Sequence, residues 1–142
     1  MDLFNMRQIN RIIVHCSATK PSIDIGVEEI RRWHIDRGWS DIGYHWVIAR
    51  DGMVEKGRSE KVAGAHARGH NQDSIAICLV GGINEDGKPD CNYTAAQYKA
   101  LNDTINGIYM RHNIHEVLGH RDLAGVTKAC PCFDVRSFIL AC

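Results

Sequence analysis

A His, a Lys and two Cys crowd residues 119–134, GHRDLAGVTKACPCFD: His120, Lys128, Cys130 and Cys132. An imidazole and a thiolate ligate a borderline-soft metal, and an ammonium stabilises a developing anion. A further donor stands far upstream, where His15 ends the apolar run IIV. Two His and one Cys would suit a catalytic zinc, which takes three protein ligands and keeps a fourth position open. The spacing is not that of a compact zinc finger, so the three meet only if the strands carrying His15 and His120 are neighbours. A lone His at a strand end is otherwise an ordinary hydrogen-bonded residue. Lys128, two residues from Cys130, is repelled by a cation but useful to an oxyanion; the alternative is a solvated loop lysine. Tyr44, in GYHW, offers a phenol as donor or proton shuttle, or is a packed strand aromatic.

The elements that must position these groups are legible as patterns. Residues 11–18, RIIVHCSA, read as a buried strand ending near His15. In GVEEIRRWHIDRGW, Val27, Ile30, Trp33 and His34 share one helical face and Gly38 marks the stop. YHWVIARDGMVEKG reads as a hairpin, with Asp51-Gly52 as a two-residue turn at positive φ. SIAICLVGG is apolar enough for a strand covered on both faces. Thr94 and Gln97 have capping-box spacing, and Tyr98, Leu101, Ile105 and Ile108 continue at helical period. HEVLGH reads as a short strand delivering His120 to an edge, and FDVRSFIL as a short helix. Alternating elements with a hairpin predict an α/β domain, a single mixed β-sheet flanked by helices, with α+β as the neighbouring class.

The chain has 142 residues, enough for one domain with its own core; residues 1–9 are expected to form a flexible N-terminal arm. Lys+Arg and Asp+Glu both number 17, so no basic excess asks for nucleic acid or an anionic membrane. No run is long enough to span a bilayer and no secretory signal opens the chain, which predicts a cytoplasmic protein. The six Cys read mainly as free thiols, Cys78 as a small core residue and Cys91 and Cys142 as bystanders. His34 reads as a helix residue at an interface. His70, His112 and His115 read as surface residues, and His45 as facing away from Tyr44.

Taken together, VHCSATKPS, GVEEIRRWHIDRGWSDIGYHWVIARDG, GAHARGHNQDSIAICLVGG and KACPCFD resemble the zinc-dependent N-acetylmuramoyl-L-alanine amidases of the amidase-2 family, and within it the T-seven type of phage lysozyme. Peptidoglycan recognition proteins share that fold. The resemblance runs from about His15 to Asp134. It implies one catalytic zinc held by His15, His120 and Cys130, with Tyr44 and Lys128 as catalytic residues and His66 and Asn71 in the substrate groove. It implies peptidoglycan or a muropeptide as substrate, a monomer, and the role of a phage endolysin released to the periplasm by a holin. Two departures stand out: RDLAGVT is about two residues longer than in the phage pattern, and Cys132 replaces a small polar residue and could compete with Cys130 for the metal.

Other roles for this fold are a cytosolic amidase recycling wall fragments, or a peptidoglycan-binding module without catalysis. Retention of His15, His120 and Cys130 argues against the latter. A further role is regulation: the T-seven type of lysozyme also binds and inhibits its phage RNA polymerase, which adds a protein partner to the expectations.

Overall fold

Alternation of β-branched runs with amphipathic segments produces a five-stranded sheet with helices on both faces; the computed structural model describes residues 7–141. The strands are β1 (Arg11–Cys16), β2 (Trp46–Ile48), β3 (Val54–Lys56), β4 (Ser74–Leu79) and β5 (Glu116–Gly119), in the order β3-β2-β4-β1-β5. Strands β2, β4, β1 and β5 run parallel, and β3 returns antiparallel to β2 at one edge. The helices are α1 (Val27–Asp36), α2 (Ala95–Arg111) and α3 (Val135–Ala141). The α/β class expected from the sequence is the one observed.

The two faces of the sheet differ. On one, Ile12, Val14, Ile48, Ile75, Ile77 and Leu79 pack against Leu101, Ile105 and Ile108 of α2 and Val135 of α3. On the other, Val47, Cys78 and Val80 meet Val27 and Ile30 of α1, while Ile13 and Leu118 meet Ala67 and Leu123 of the loops. Side chains alternate along a strand, so His15 lies on the face of Ile13 and Cys16 on the opposite one. Parallel β1 and β4 are buried along nearly their whole length, as such strands must be when both faces are covered.

Local chemistry sets the helix ends. Thr94 Oγ1 accepts from the Gln97 amide at 3.1 Å and Gln97 Oε1 accepts from the Thr94 amide at 3.0 Å, the expected capping box. At α1 the Glu55 carboxylate accepts from the Val27 amide at 3.2 Å, placing negative charge at the positive end of the helix dipole. Gly38, with φ of +93°, follows the helix and takes the left-handed conformation that favours glycine.

Three expectations change. The hairpin has a three-residue loop, Arg50-Asp51-Gly52: the Ala49 amide donates to the Met53 carbonyl and the Gly52 amide to the Ala49 carbonyl, both at 2.9 Å. Only Gly52 takes a positive φ; one glycine suffices because a turn followed by a left-handed residue closes the hairpin. Trp33 is 40% exposed: it lines a surface cleft instead of joining Val27 and Ile30 in the core. Of the arm expected over residues 1–9, residues 1–6 lie outside the described residues, but Arg7 and Ile9 are docked. Arg7 donates to the carbonyls of Glu60, Asn71, Gln72 and Ser74, and Ile9 is buried in the core. Cys142 lies outside the described residues. Among them, no helix is long and apolar enough to cross a membrane.

Candidate metal centre

Strand register brings the two histidines together. Val14 of β1 pairs with Gly119 of β5, so His15 and His120 are the next residues of neighbouring parallel strands, at their C-terminal ends. Their rings lie 4.5 Å apart. A single 3-10 turn, His120–Asp122, follows β5 and carries the chain outward. The loop bearing Cys130 is then tied back: the Arg121 amide donates to the Cys130 carbonyl at 2.7 Å, and the Tyr93 hydroxyl to the Pro131 carbonyl at 2.6 Å. One ligand atom from each of His15, His120 and Cys130 lies within 4.8 Å of the others.

The donors suit a metal. Cys130 Sγ accepts the Cys16 amide at 3.0 Å, a bond that favours a thiolate, but the neighbouring Cys16 thiol and burial outweigh it and push the metal-free Cys130 thiol up, so its deprotonation would come with a bound cation. Burial, then repulsion from His66 and His120, pushes the His15 imidazole well below its usual range. Burial, then the charge of Lys128, lowers His120. Both rings are therefore held in the neutral form that ligates a metal. Two imidazoles and a thiol with no carboxylate match zinc and not the oxygen-seeking Mg²⁺ or Ca²⁺.

Around them lies a cleft of about 290 Å³, lined by residues including Tyr44, His66, Lys128 and Cys130. Tyr44 stands beside His15, ring centroids 5.2 Å apart, and burial raises its phenol well above the usual range, so it stays protonated. It is placed by close backbone approach: a Cβ on Gly43 would lie 2.2 Å from the Ala65 carbonyl oxygen, so glycine lets GYHW touch the loop that carries His66. His34 holds the same segment by accepting the Gly43 amide on Nδ1 at 2.9 Å. Lys128 is exposed. With His120 it lines both this cleft and a second depression of about 350 Å³, which is also lined by Arg68, His70 and residues 123–127.

Of the two residues expected in the substrate groove, His66 lines the cleft and Asn71 does not. The Asn71 Oδ1 accepts the amides of His66 and Ala67 at 2.9 and 3.0 Å, so its side chain is committed to shaping that loop. Cys132 is not among the three converging donors; its Sγ donates to the Gly82 carbonyl at 3.3 Å. The sequence reading missed the cleft wall made by Trp33 of α1 and by Arg37 and Trp39 just beyond it. Its signal was the exposed aromatic and basic cluster in RRWHIDRGW, but which sheet edge it overhangs depends on packing. His45 and His112 are structural, the former bonded to backbone on both ring nitrogens and the latter to Glu60.

Residues 5–133 match the amidase-2 family, described as N-acetylmuramoyl-L-alanine amidase. The endolysin of Enterobacteria phage T3 is 50% identical over 125 residues, spanning 88% of this chain and 82% of that one. The endolysin of Escherichia phage T7 is 49% identical over 125 residues with the same coverage. Among solved structures, the N-acetylmuramoyl-L-alanine amidase LysC from Clostridium intestinale has a TM-score of 0.81 at 28% identity, covering 97% of this chain and 87% of that one.

Proposed function

The chain belongs to the N-acetylmuramoyl-L-alanine amidase family, and from that premise we propose that it is a phage endolysin that cleaves peptidoglycan with a zinc ion held by His15, His120 and Cys130. The bond hydrolysed is the amide between the lactyl group of N-acetylmuramic acid and the L-alanine of the stem peptide. The observation that carries the reading is the convergence of three donors from two strand ends and one loop to within 4.8 Å. The match in length and identity to the phage endolysins supports the biological role.

When bound, zinc supplies a Lewis acid that polarises the scissile carbonyl and makes water a nucleophile near neutral pH. The chain's own residues do the rest. Tyr44, protonated and beside His15, donates a hydrogen bond to the carbonyl oxygen as negative charge develops there. Lys128, at the mouth of the cleft, brings an ammonium to the same oxygen. Such donors act most strongly on the transition state, where the charge is largest. The cleft and the second depression meet at His120 and Lys128, so a substrate extending on both sides of its scissile amide is accommodated.

The test is mass spectrometry of purified peptidoglycan incubated with zinc-loaded protein, beside a chelated sample. Free stem peptides beginning at L-alanine, absent after chelation, are expected. Unchanged peptidoglycan from zinc-loaded protein would overturn the reading.

A further inference from the structure

We propose that His66 and Ser74 are positioning residues that fix the ring tautomer of His15 and thereby select the nitrogen it presents to a metal. This rests on the reading of His15 as a ligand. Ser74 is the starting point. It is fully buried at the head of β4, where every following residue is apolar, and a hydroxyl there contributes nothing to packing that an alanine would not. Its Oγ lies 2.6 Å from the His70 carbonyl oxygen and 3.1 Å from His66 Nε2. A carbonyl only accepts, so the single hydroxyl proton goes to His70. Oγ must then accept from His66 Nε2–H.

The rest follows by counting protons. A neutral imidazole carries one N–H, so His66 Nδ1 is a bare lone pair. It faces His15 Nε2 at 2.8 Å, which must therefore carry the proton and donate it. His15 Nδ1 is left unprotonated and available as a ligand. Among the described residues, no carboxylate hydrogen-bonds to His15, His66 or Ser74, so nothing balances an imidazolium that would reverse the chain of donors. Asn71 anchors its far end by closing the loop on the His66 and Ala67 amides. Metal-bound histidines commonly donate their second N–H to a carboxylate or carbonyl. Here a neutral imidazole does this, orienting the ligand without adding negative charge.

The experiment uses the metal-free protein with ¹⁵N-labelled histidine, read by long-range ¹H–¹⁵N spectra at neutral pH, together with zinc affinity by chelator competition. His15 is expected to show a protonated Nε2 and a bare Nδ1. Ser74→Ala and His66→Phe should lose this single pattern and weaken zinc about 10–100-fold. His66→Asn, whose Oδ1 can accept where Nδ1 did, should keep the His15 pattern and bind zinc more tightly than His66→Phe. It also decides the matter together with Ser74→Ala if His66→Phe fails to fold. His15→Ala is measured alongside. If it leaves zinc affinity intact, the ligand assignment itself fails. If it abolishes binding while Ser74→Ala and His66→Phe change neither the tautomer nor the affinity, the positioning role is overturned.

Discussion

Cys130 and Cys132 lie two positions apart yet are put to different uses. The Cys130 sulfur meets the Cys16 amide and joins His15 and His120, whereas the Cys132 sulfur turns to Gly82. Cys132 also has φ of +76°, a conformation that costs a side chain about 1 kcal/mol or more relative to glycine. Cys130→Ser is therefore expected to lose zinc and lytic activity together. Cys132→Gly should retain both and melt no lower than the parent; zinc titration and thermal melts check the pair. Lys128→Ala should bind zinc normally but lose about 10²–10³ in kcat, as removal of an oxyanion partner does. Loss of zinc in that variant would make Lys128 structural. The candidate donors were legible because residue type carries most of their chemistry. The His15–His66–Ser74 chain was not, because a serine in SIAICL gives no sign of which loop will fold over it.

Elements were legible where their signals are local. The α2 capping box needed only Thr94 and Gln97 at the right spacing, and the strands needed only their apolar runs. The hairpin loop was misjudged by one residue because Asp51-Gly52 marks a turn without stating how many of its residues turn left-handed. The pairing of β1 with β5, which brings His15 beside His120, joins segments about a hundred positions apart and has no local signature. Two substitutions separate element stability from site geometry. Thr94→Ala removes the cap of α2 and should cost about 1 kcal/mol with zinc affinity and kcat unchanged. Gly43→Ala must push the chain off the Ala65 carbonyl, so it should lower both the melting temperature and kcat as Tyr44 is displaced. Denaturant melts with steady-state assays distinguish the two, and an unaffected Gly43→Ala would show that the backbone contact is unimportant.

The whole molecule carries buried titratable groups outside the metal centre that set its response to acid. Burial pushes His34 and His45 down to about 4, and each accepts a backbone amide on Nδ1 in its neutral form. Unfolded histidine takes up a proton near 6.5, so the unfolded state binds more protons between about 6.5 and 4, and stability falls as pH drops through that window. Each ring contributes on the order of 2 kcal/mol to that fall. Burial opposes the charge on Glu60, but bonds from Arg111, His112 and Trp46 outweigh it and hold the carboxyl at about 2; its contribution is present above the usual carboxylate range and is lost below it. Melts from pH 7 to pH 4 should show a steady decline, and a flat profile would contradict the buried neutral histidines. The strand order has a consequence for kinetics as well. Central β1 finds both its partners, β4 and β5, far along the chain, so long loops must close before its contacts form, and such topologies fold slowly. The donors at 15, 120 and 130 converge only once those loops have closed. A half-folded chain therefore holds no ready-made cage for the ion, and the protein becomes able to cut only when it is finished.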